Sequence, residues 1–224
     1  MSLKILHSNP RGWTSKQESF LKVIHSIKPD YVNINESQLQ GSNKLLIKGY
    51  TTNCKNRVDA IGGGICSAIA NGIKQSAVCV GEGGDGDEWL AVRLAHVSPP
   101  ITVLNCYGEQ EARSGKEEVL ARWGRLLKEL GAITARGDHC LLLGDMNKLV
   151  GRGPLGVPGN HPEVSQGGKL VRDLVQSGDW VLLNAIEGMV EGGPFTQADP
   201  ATGRESCLDL WLCSTGLAPH LKSL

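Results

Sequence analysis

Short apolar runs alternate with polar interruptions along the chain, and the runs carry two different periods. Residues 3–6 (Leu-Lys-Ile-Leu) predict an opening strand that ends in the turn-forming cluster His7-Ser8-Asn9-Pro10-Arg11-Gly12. Phe20, Leu21, Ile24 and Ile27 then fall on one helical face. Lys28-Pro29 ends that helix, because the residue before a proline is pushed out of the helical region. Residues 30–36 alternate as a strand and deliver Glu36 at its far end. This strand–helix–strand unit leaves a polar residue, Asn9 and then Glu36, at the carboxyl end of each strand.

Residues 37–60 are polar and predict irregular structure around a short β element near 45–47. Gly62-Gly63-Gly64 leads into an apolar run at 65–70, and Asn71-Gly72 between that run and 75–80 predicts a hairpin. The triple glycine lacks the lysine and following helix of a phosphate-binding loop, so it reads as close backbone packing in a sheet. An acidic loop at 81–87 is expected to be flexible, 88–95 alternates as a strand, and 101–106 is a buried strand ending at Tyr107-Gly108-Glu109-Gln110-Glu111. Val119, Trp123, Leu126, Leu127, Leu130 and Ile133 make the apolar stripe of a helix over 116–135.

The stretch Cys140-Leu141-Leu142-Leu143-Gly144-Asp145-Met146-Asn147 organises the rest. A continuous aliphatic run reads as a buried strand, and in open α/β folds ligands bind outside the carboxyl ends of strands. Asp145 and Asn147 are two apart, so in extended chain their side chains point the same way. Residues 148–167 are rich in glycine and proline, too long for an ordinary connector, and so a candidate binding loop. Leu170, Val171, Leu174 and Val175 mark another helix, and strands are predicted at 180–183 and 207–213 on either side of a polar turn segment at 197–204. Asp209 stands inside Leu-Asp-Leu, where an ionised carboxylate must be paired or hydrogen-bonded to be tolerated. With no repeat, linker or low-complexity tract, 1–224 is expected to be a single domain.

Composition changes this picture in three places. Lysine plus arginine and aspartate plus glutamate both number 23, so net charge exerts no global pull on a polyanion. Residues 1–57 nevertheless hold nine basic side chains against three acidic ones, a local excess that could face one. Of seven cysteines, Cys66, Cys79, Cys106, Cys140 and Cys213 lie in apolar runs, where a thiol acts as a small hydrophobe; no Cys-x-x-Cys spacing suggests zinc. The sequence shows no signal-peptide core and no bilayer-length apolar run, so a reduced intracellular setting, nuclear or cytoplasmic and without membrane contact, is expected.

Five polar blocks now sit at strand ends. They are Ser8-Asn9-Pro10-Arg11-Gly12, Asn35-Glu36-Ser37, Asn105-Cys106-Tyr107, Gly144-Asp145-Met146-Asn147 and Ser206-Cys207-Leu208-Asp209. In this order and spacing they resemble the endonuclease/exonuclease/phosphatase superfamily over nearly the whole chain. The Asn-Pro-Arg-Gly block and the Tyr-Gly-Glu-Gln-Glu stretch look most like the endonuclease domains of non-LTR retrotransposons. The resemblance implies an α/β fold: a sandwich of two mixed β-sheets flanked by helices, DNase I-like, with the active site across one sheet edge.

It also implies a chemistry. Glu36 would ligate Mg²⁺, with Mn²⁺ as the substitute, since a hard oxygen donor suits an ion that keeps most of its waters. The metal would neutralise charge and polarise the phosphoryl oxygen. Asp145 would orient or deprotonate the attacking water, while Asn9, Asn147 and Tyr107 would donate hydrogen bonds to non-bridging oxygens. Asp209 would hold and polarise a histidine. The Ser-Asp-His block that supplies this histidine is absent from the sequence, and His220 stands in no such block. The chain is therefore expected to be either a fragment lacking its last strand, with an exposed sheet edge, or a degenerate copy. Relatives that repair abasic sites carry an acidic residue two after the first Asn; here that position is Arg11. The expectation is a DNA-nicking enzyme that would precede a reverse transcriptase in its parent element, inactive or crippled by loss of the histidine. The rivals are a phosphatase acting on inositol phosphates or phospholipid head groups, and a non-catalytic nucleic-acid-binding remnant. Oligomeric state is not legible.

Overall fold

The computed structural model describes residues 3–57, 63–108, 115–157, 162–187, 189, 197–198 and 205–222. Gly62, the acidic stretch Glu109-Gln110-Glu111 and most of the polar turn segment lie outside them. The chain divides into two units, Met1–Tyr107 and Gly108–Leu224.

In the first unit β1 (Ile5–Ser8), α1 (Trp13–Ile27) and β2 (Tyr31–Ile34) form the expected strand–helix–strand, with β1 and β2 parallel. The first strand lies two residues later than the apolar pattern suggested. β3 (Tyr50–Lys55) and β4 (Ile65–Ala70) complete a mixed sheet of order β1-β2-β4-β3. Alternation sends Val32, Ile34, Cys66 and Ala68 into one buried cluster with Trp13 and Ile24 of α1. β5 (Ala77–Glu82), β6 (Trp89–Leu94) and β7 (Ile101–Cys106) run antiparallel, each beside the next.

Two local readings are corrected. Residues 50–55 form a full strand where irregular chain was predicted, while Leu45 and Ile47, the expected β element, are buried outside any strand. The polar Thr-Thr-Asn sequence hid β3, which among the described residues pairs with β4 alone, at the end of the strand order. Asn71-Gly72 does not close a hairpin: β4 pairs with β2 and β3, whereas β5 pairs with β6. A turn signal reports that the chain reverses, not which strands it joins.

Asn105 on β7 is fully buried and ties the unit together. Its Oδ1 accepts from Asn35 Nδ2 at 2.6 Å, and its Nδ2 donates to the carbonyls of Ile34 at 3.2 Å and Cys66 at 3.0 Å. Removing it takes a partner from a buried amide and from two buried carbonyls, at about 0.5–1.5 kcal/mol for each bond. Asn105→Ala is therefore expected to lower the free energy of unfolding by at least about 2 kcal/mol in a denaturant titration. An unchanged transition would show that these bonds contribute nothing.

The cysteines divide. Cys54 and Cys66 are register partners on β3 and β4 and are joined as a disulfide, which the expectation of a reduced setting did not foresee. Cys79 is exposed despite its apolar run, whereas Cys106, Cys140, Cys207 and Cys213 are buried. Burial pushes the Cys207 and Cys213 thiols up to about 12, so they stay protonated and pack as small hydrophobes.

The second unit contains α2 (Lys116–Thr134), β8 (His139–Asp145), α3 (Gln166–Gln176), β9 (Trp180–Leu182), the short ladder β10 (Gln197–Ala198) with β11 (Glu205–Ser206), and β12 (Asp209–Ser214). β12 runs antiparallel between β8 and β9. The predicted stripe of α2 is buried at Val119, Trp123, Leu126, Leu130 and Ile133, and α2 packs on β8 and α3. The described part of the glycine-rich segment after Asn147 is anchored rather than structureless. Val150 bridges Val164, Arg172 donates to the carbonyls of Val150 and Arg152, and the absent side chain of Gly168 admits the Leu149 carbonyl. Among the described residues, no helix is long and apolar enough to cross a membrane.

Candidate active site

In the first unit the Asn9 turn and the Glu36 turn are built against each other. Asn9 Oδ1 accepts from the Arg11 backbone at 3.0 Å, a local turn that asparagine favours. The chain then enters α1, where Gly12 N donates to the Glu36 carbonyl at 2.8 Å and Trp13 N to the Ser37 carbonyl at 2.9 Å. On the other side, Ser37 N and Gln38 N donate to the carbonyls of Gly64 and Gly63, both at 2.9 Å. Glu36 itself has φ 47, a left-handed conformation that a side chain adopts at a cost of order 1–3 kcal/mol. The flanking bonds hold it there.

The half-buried Glu36 side chain accepts two hydrogen bonds on one oxygen. Asn9 Nδ2 donates to Oε1 at 3.0 Å and the Tyr107 hydroxyl donates to the same atom at 3.2 Å. Three residues drawn from three separate sequence blocks therefore meet at one carboxylate. Both bonds fall on Oε1, which fixes the direction of the carboxylate. This donor set fits a hard, largely hydrated ion such as Mg²⁺, which needs only one or two protein carboxylates. It does not fit a metal held by a protein cage, and no group of three or more His, Cys, Asp or Glu side chains suited to a metal occurs among the described residues.

Two further residues of this unit escaped the sequence reading. The buried Glu88 accepts from Arg57 Nη2 at 2.7 Å on Oε2 and from the Gly64 backbone at 2.6 Å on Oε1. The Arg57 guanidinium lies 5.8 Å from the centroid of the Tyr107 ring. The acidic loop thus ends in a buried carboxylate immediately before an apolar strand, which was the available signal.

In the second unit β8 ends at Asp145, which is buried, and Asn147 follows with φ 49. Asp145 Oδ1 accepts from Asn147 N at 3.0 Å. Asn147 Nδ2 donates to the Gly108 carbonyl at 2.8 Å, and Gly108 N donates to the Asp145 carbonyl at 2.8 Å. Gly108 must be glycine for this, since a Cβ would run into the Met146 carbonyl. Asp209 opens β12 directly opposite Asp145 in the ladder, so the two carboxylate-bearing positions are register partners. Its backbone is fixed by Asn184, whose Nδ2 donates to the Asp209 carbonyl at 3.3 Å and whose Oδ1 accepts from Trp211 N at 2.7 Å. His220 lies beside His139, with ring centroids 6.2 Å apart.

The six residues singled out in the sequence therefore occupy two clusters: Asn9, Glu36 and Tyr107 in the first unit, and Asp145, Asn147 and Asp209 in the second. Of the basic residues in 1–57, Lys4, Arg11, Lys16, Lys22, Lys28, Lys44 and Lys48 are exposed. Lys55 and Arg57 turn inward, to the Gly83 carbonyl and to Glu88.

No curated protein sequence matches the chain. Solved structures do match its fold. An AP endonuclease from Archaeoglobus fulgidus superposes with TM-score 0.73 at 18% identity, covering 97% of this chain and 89% of that one. The 3′ phosphatase NExo from Neisseria, bound to product DNA hairpin, gives 0.72 at 14% identity over 97% and 89%. The endonuclease domain of TRAS1, a telomere-specific non-LTR retrotransposon, gives 0.65 at 14% identity over 97% and 88%. Identities this low carry the fold alone, and that fold is the expected one: α/β, two mixed β-sheets flanked by helices, DNase I-like. The sequence itself matches the Endonuclease/Exonuclease/phosphatase family over residues 1–222, and the chain belongs to that family.

Proposed function

We propose that this chain is a Mg²⁺-dependent phosphodiesterase that nicks DNA, as the endonuclease of a retrotransposon-type element. The observation that carries the reading is the convergence of Asn9 and Tyr107 on one oxygen of Glu36. Two donors spent on orienting a single carboxylate are what a one-ligand cation site requires. Bound Mg²⁺ supplies charge neutralisation and polarisation at the phosphoryl oxygen. Glu36 would hold it, its carboxylate set by Asn9 and Tyr107 before substrate binds; with substrate bound, Asn9 would offer an N–H and Tyr107 would redirect its one O–H from Glu36 to a non-bridging oxygen. Asp145, buried and held by its own turn, would orient the attacking water or accept its proton. Asn147 keeps one amide N–H on Gly108 and has a second to give. Asp209 would orient a histidine, and no Ser-Asp-His occurs in this sequence, so turnover by this chain alone is expected to be low.

DNA as substrate is supported by the exposed basic residues near the amino terminus and by the DNA-bound relative of the same fold. Arg11, exposed where abasic-site repair enzymes carry an acidic residue, argues against that branch. In its parent element the domain would accompany a reverse transcriptase. Duplex binding should fall steeply with salt, because lysine–phosphate contacts release counterions. Affinity unchanged between low and physiological salt would favour a phosphatase acting on small phosphate esters instead.

A further inference from the structure

We propose that Arg57 and Glu88 form a positioning pair that fixes the direction of the Glu36 carboxylate; this rests on the reading of Glu36 as a metal ligand. Two separate paths lead from Glu88 to Glu36. The first runs through the backbone: Glu88 Oε1 accepts from Gly64 N at 2.6 Å, and the Gly64 carbonyl accepts from Ser37 N at 2.9 Å, immediately after Glu36. The second runs through Tyr107, whose N donates to the Glu88 carbonyl at 2.8 Å and whose hydroxyl donates to Glu36 Oε1 at 3.2 Å. Arg57 closes the figure. It neutralises Glu88 through Nη2 at 2.7 Å, and its guanidinium lies 5.8 Å from the Tyr107 ring centroid, within reach of the attraction between a cation and an aromatic face.

The local sequence is shaped to fit this pair. Gly63 has φ 70, and a Cβ there would run into both the Arg57 guanidinium and Glu88 Oε1. Gly64 has φ 80, and a Cβ would lie 2.8 Å from Ser37 Oγ. Gly63 thus admits this ion pair, buried at Glu88 and 22% exposed at Arg57, instead of a phosphate. A buried ion pair is weak evidence for stability, because well-packed apolar residues of similar volume often replace one without loss. Its value here lies in direction. The pair ties the left-handed Glu36 turn and the Tyr107 ring to the same anchor, so the strained turn and the hydroxyl that meets it cannot drift apart.

The test is direct Mn²⁺ binding by calorimetry to the chain and to Arg57→Met, Arg57→Lys, Glu88→Gln and Glu36→Gln, with the thermal unfolding of each. Glu36→Gln is expected to remove the binding. Arg57→Met and Glu88→Gln are expected to weaken it about 10-fold or more, as for other groups that orient a metal ligand. Arg57→Lys should recover part of the loss, since it restores the charge but not the planar fork. Glu88→Gln keeps an acceptor for Gly64 N and so gives a folded variant if Arg57→Met does not. Wild-type affinity in either folded variant, with binding still lost in Glu36→Gln, overturns the positioning role and leaves the metal reading standing. If the unaltered chain binds no Mn²⁺, or Glu36→Gln binds it equally well, the metal reading falls and the positioning role falls with it.

Discussion

Glu36→Gln is expected to reduce metal-dependent phosphodiester hydrolysis on the order of 10³-fold while leaving thermal unfolding nearly unchanged. The size follows from losing a metal worth several kcal/mol of charge stabilisation, at 1.36 kcal/mol per factor of ten. The fold should survive because the turn is held by backbone bonds, from Gly12, Trp13, Ser37 and Gln38, that do not involve the side chain. Glutamine also keeps an oxygen to accept from Asn9 and Tyr107. Steady-state hydrolysis of a DNA substrate against Mg²⁺ concentration, with a melting curve, checks both halves. Retained activity would remove Glu36 from the chemistry, and a collapsed melt would make it a structural residue instead.

Asp145→Asn is the second large effect. The amide preserves an oxygen for the Asn147 backbone, so the turn at the end of β8 persists, but it cannot take a proton from water. General-base assistance is typically worth 10²–10⁴-fold, so a loss of about 10³-fold in kcat with little change in KM is expected. Proportional losses in kcat/KM through KM alone would instead assign Asp145 to binding.

How much of this was legible in the sequence depended on how locally each signal is encoded. Glu36 was visible because an alternating strand delivers it at its far end, and Asp145 because it is the first charged residue after a continuous aliphatic run. The α2 stripe was visible for the same reason: burial on one helix face imposes a period. β3 was not, since its Thr-Thr-Asn centre lies on the strand that ends the described order, where polar residues are tolerated. The Asn71-Gly72 turn misled because its chemistry is purely local, while the partners of β4 and β5 are chosen by the whole sheet.

The candidate site splits along the same line. Asn9, Glu36 and Tyr107 were each ordinary polar residues until the fold drew two donors onto one oxygen. Arg57 and Glu88 were invisible as a pair because 31 residues separate them and neither belongs to a recognisable block. Their signal was an excess, a carboxylate placed where an apolar strand begins. The Cys54–Cys66 link is similar: twelve residues apart in sequence, the two are adjacent only once β3 and β4 pair.

Nicking of supercoiled plasmid in Mg²⁺ tests the central claim most directly. The chain should be run beside a version carrying an added Ser-Asp-His segment, with Mn²⁺ binding confirming that both present an intact Glu36 site. The extended form is expected to convert supercoiled to open-circular DNA, the unextended chain far more slowly, and chelation of the metal to stop both. If both forms are folded and bind metal yet neither cuts DNA, the endonuclease account is wrong.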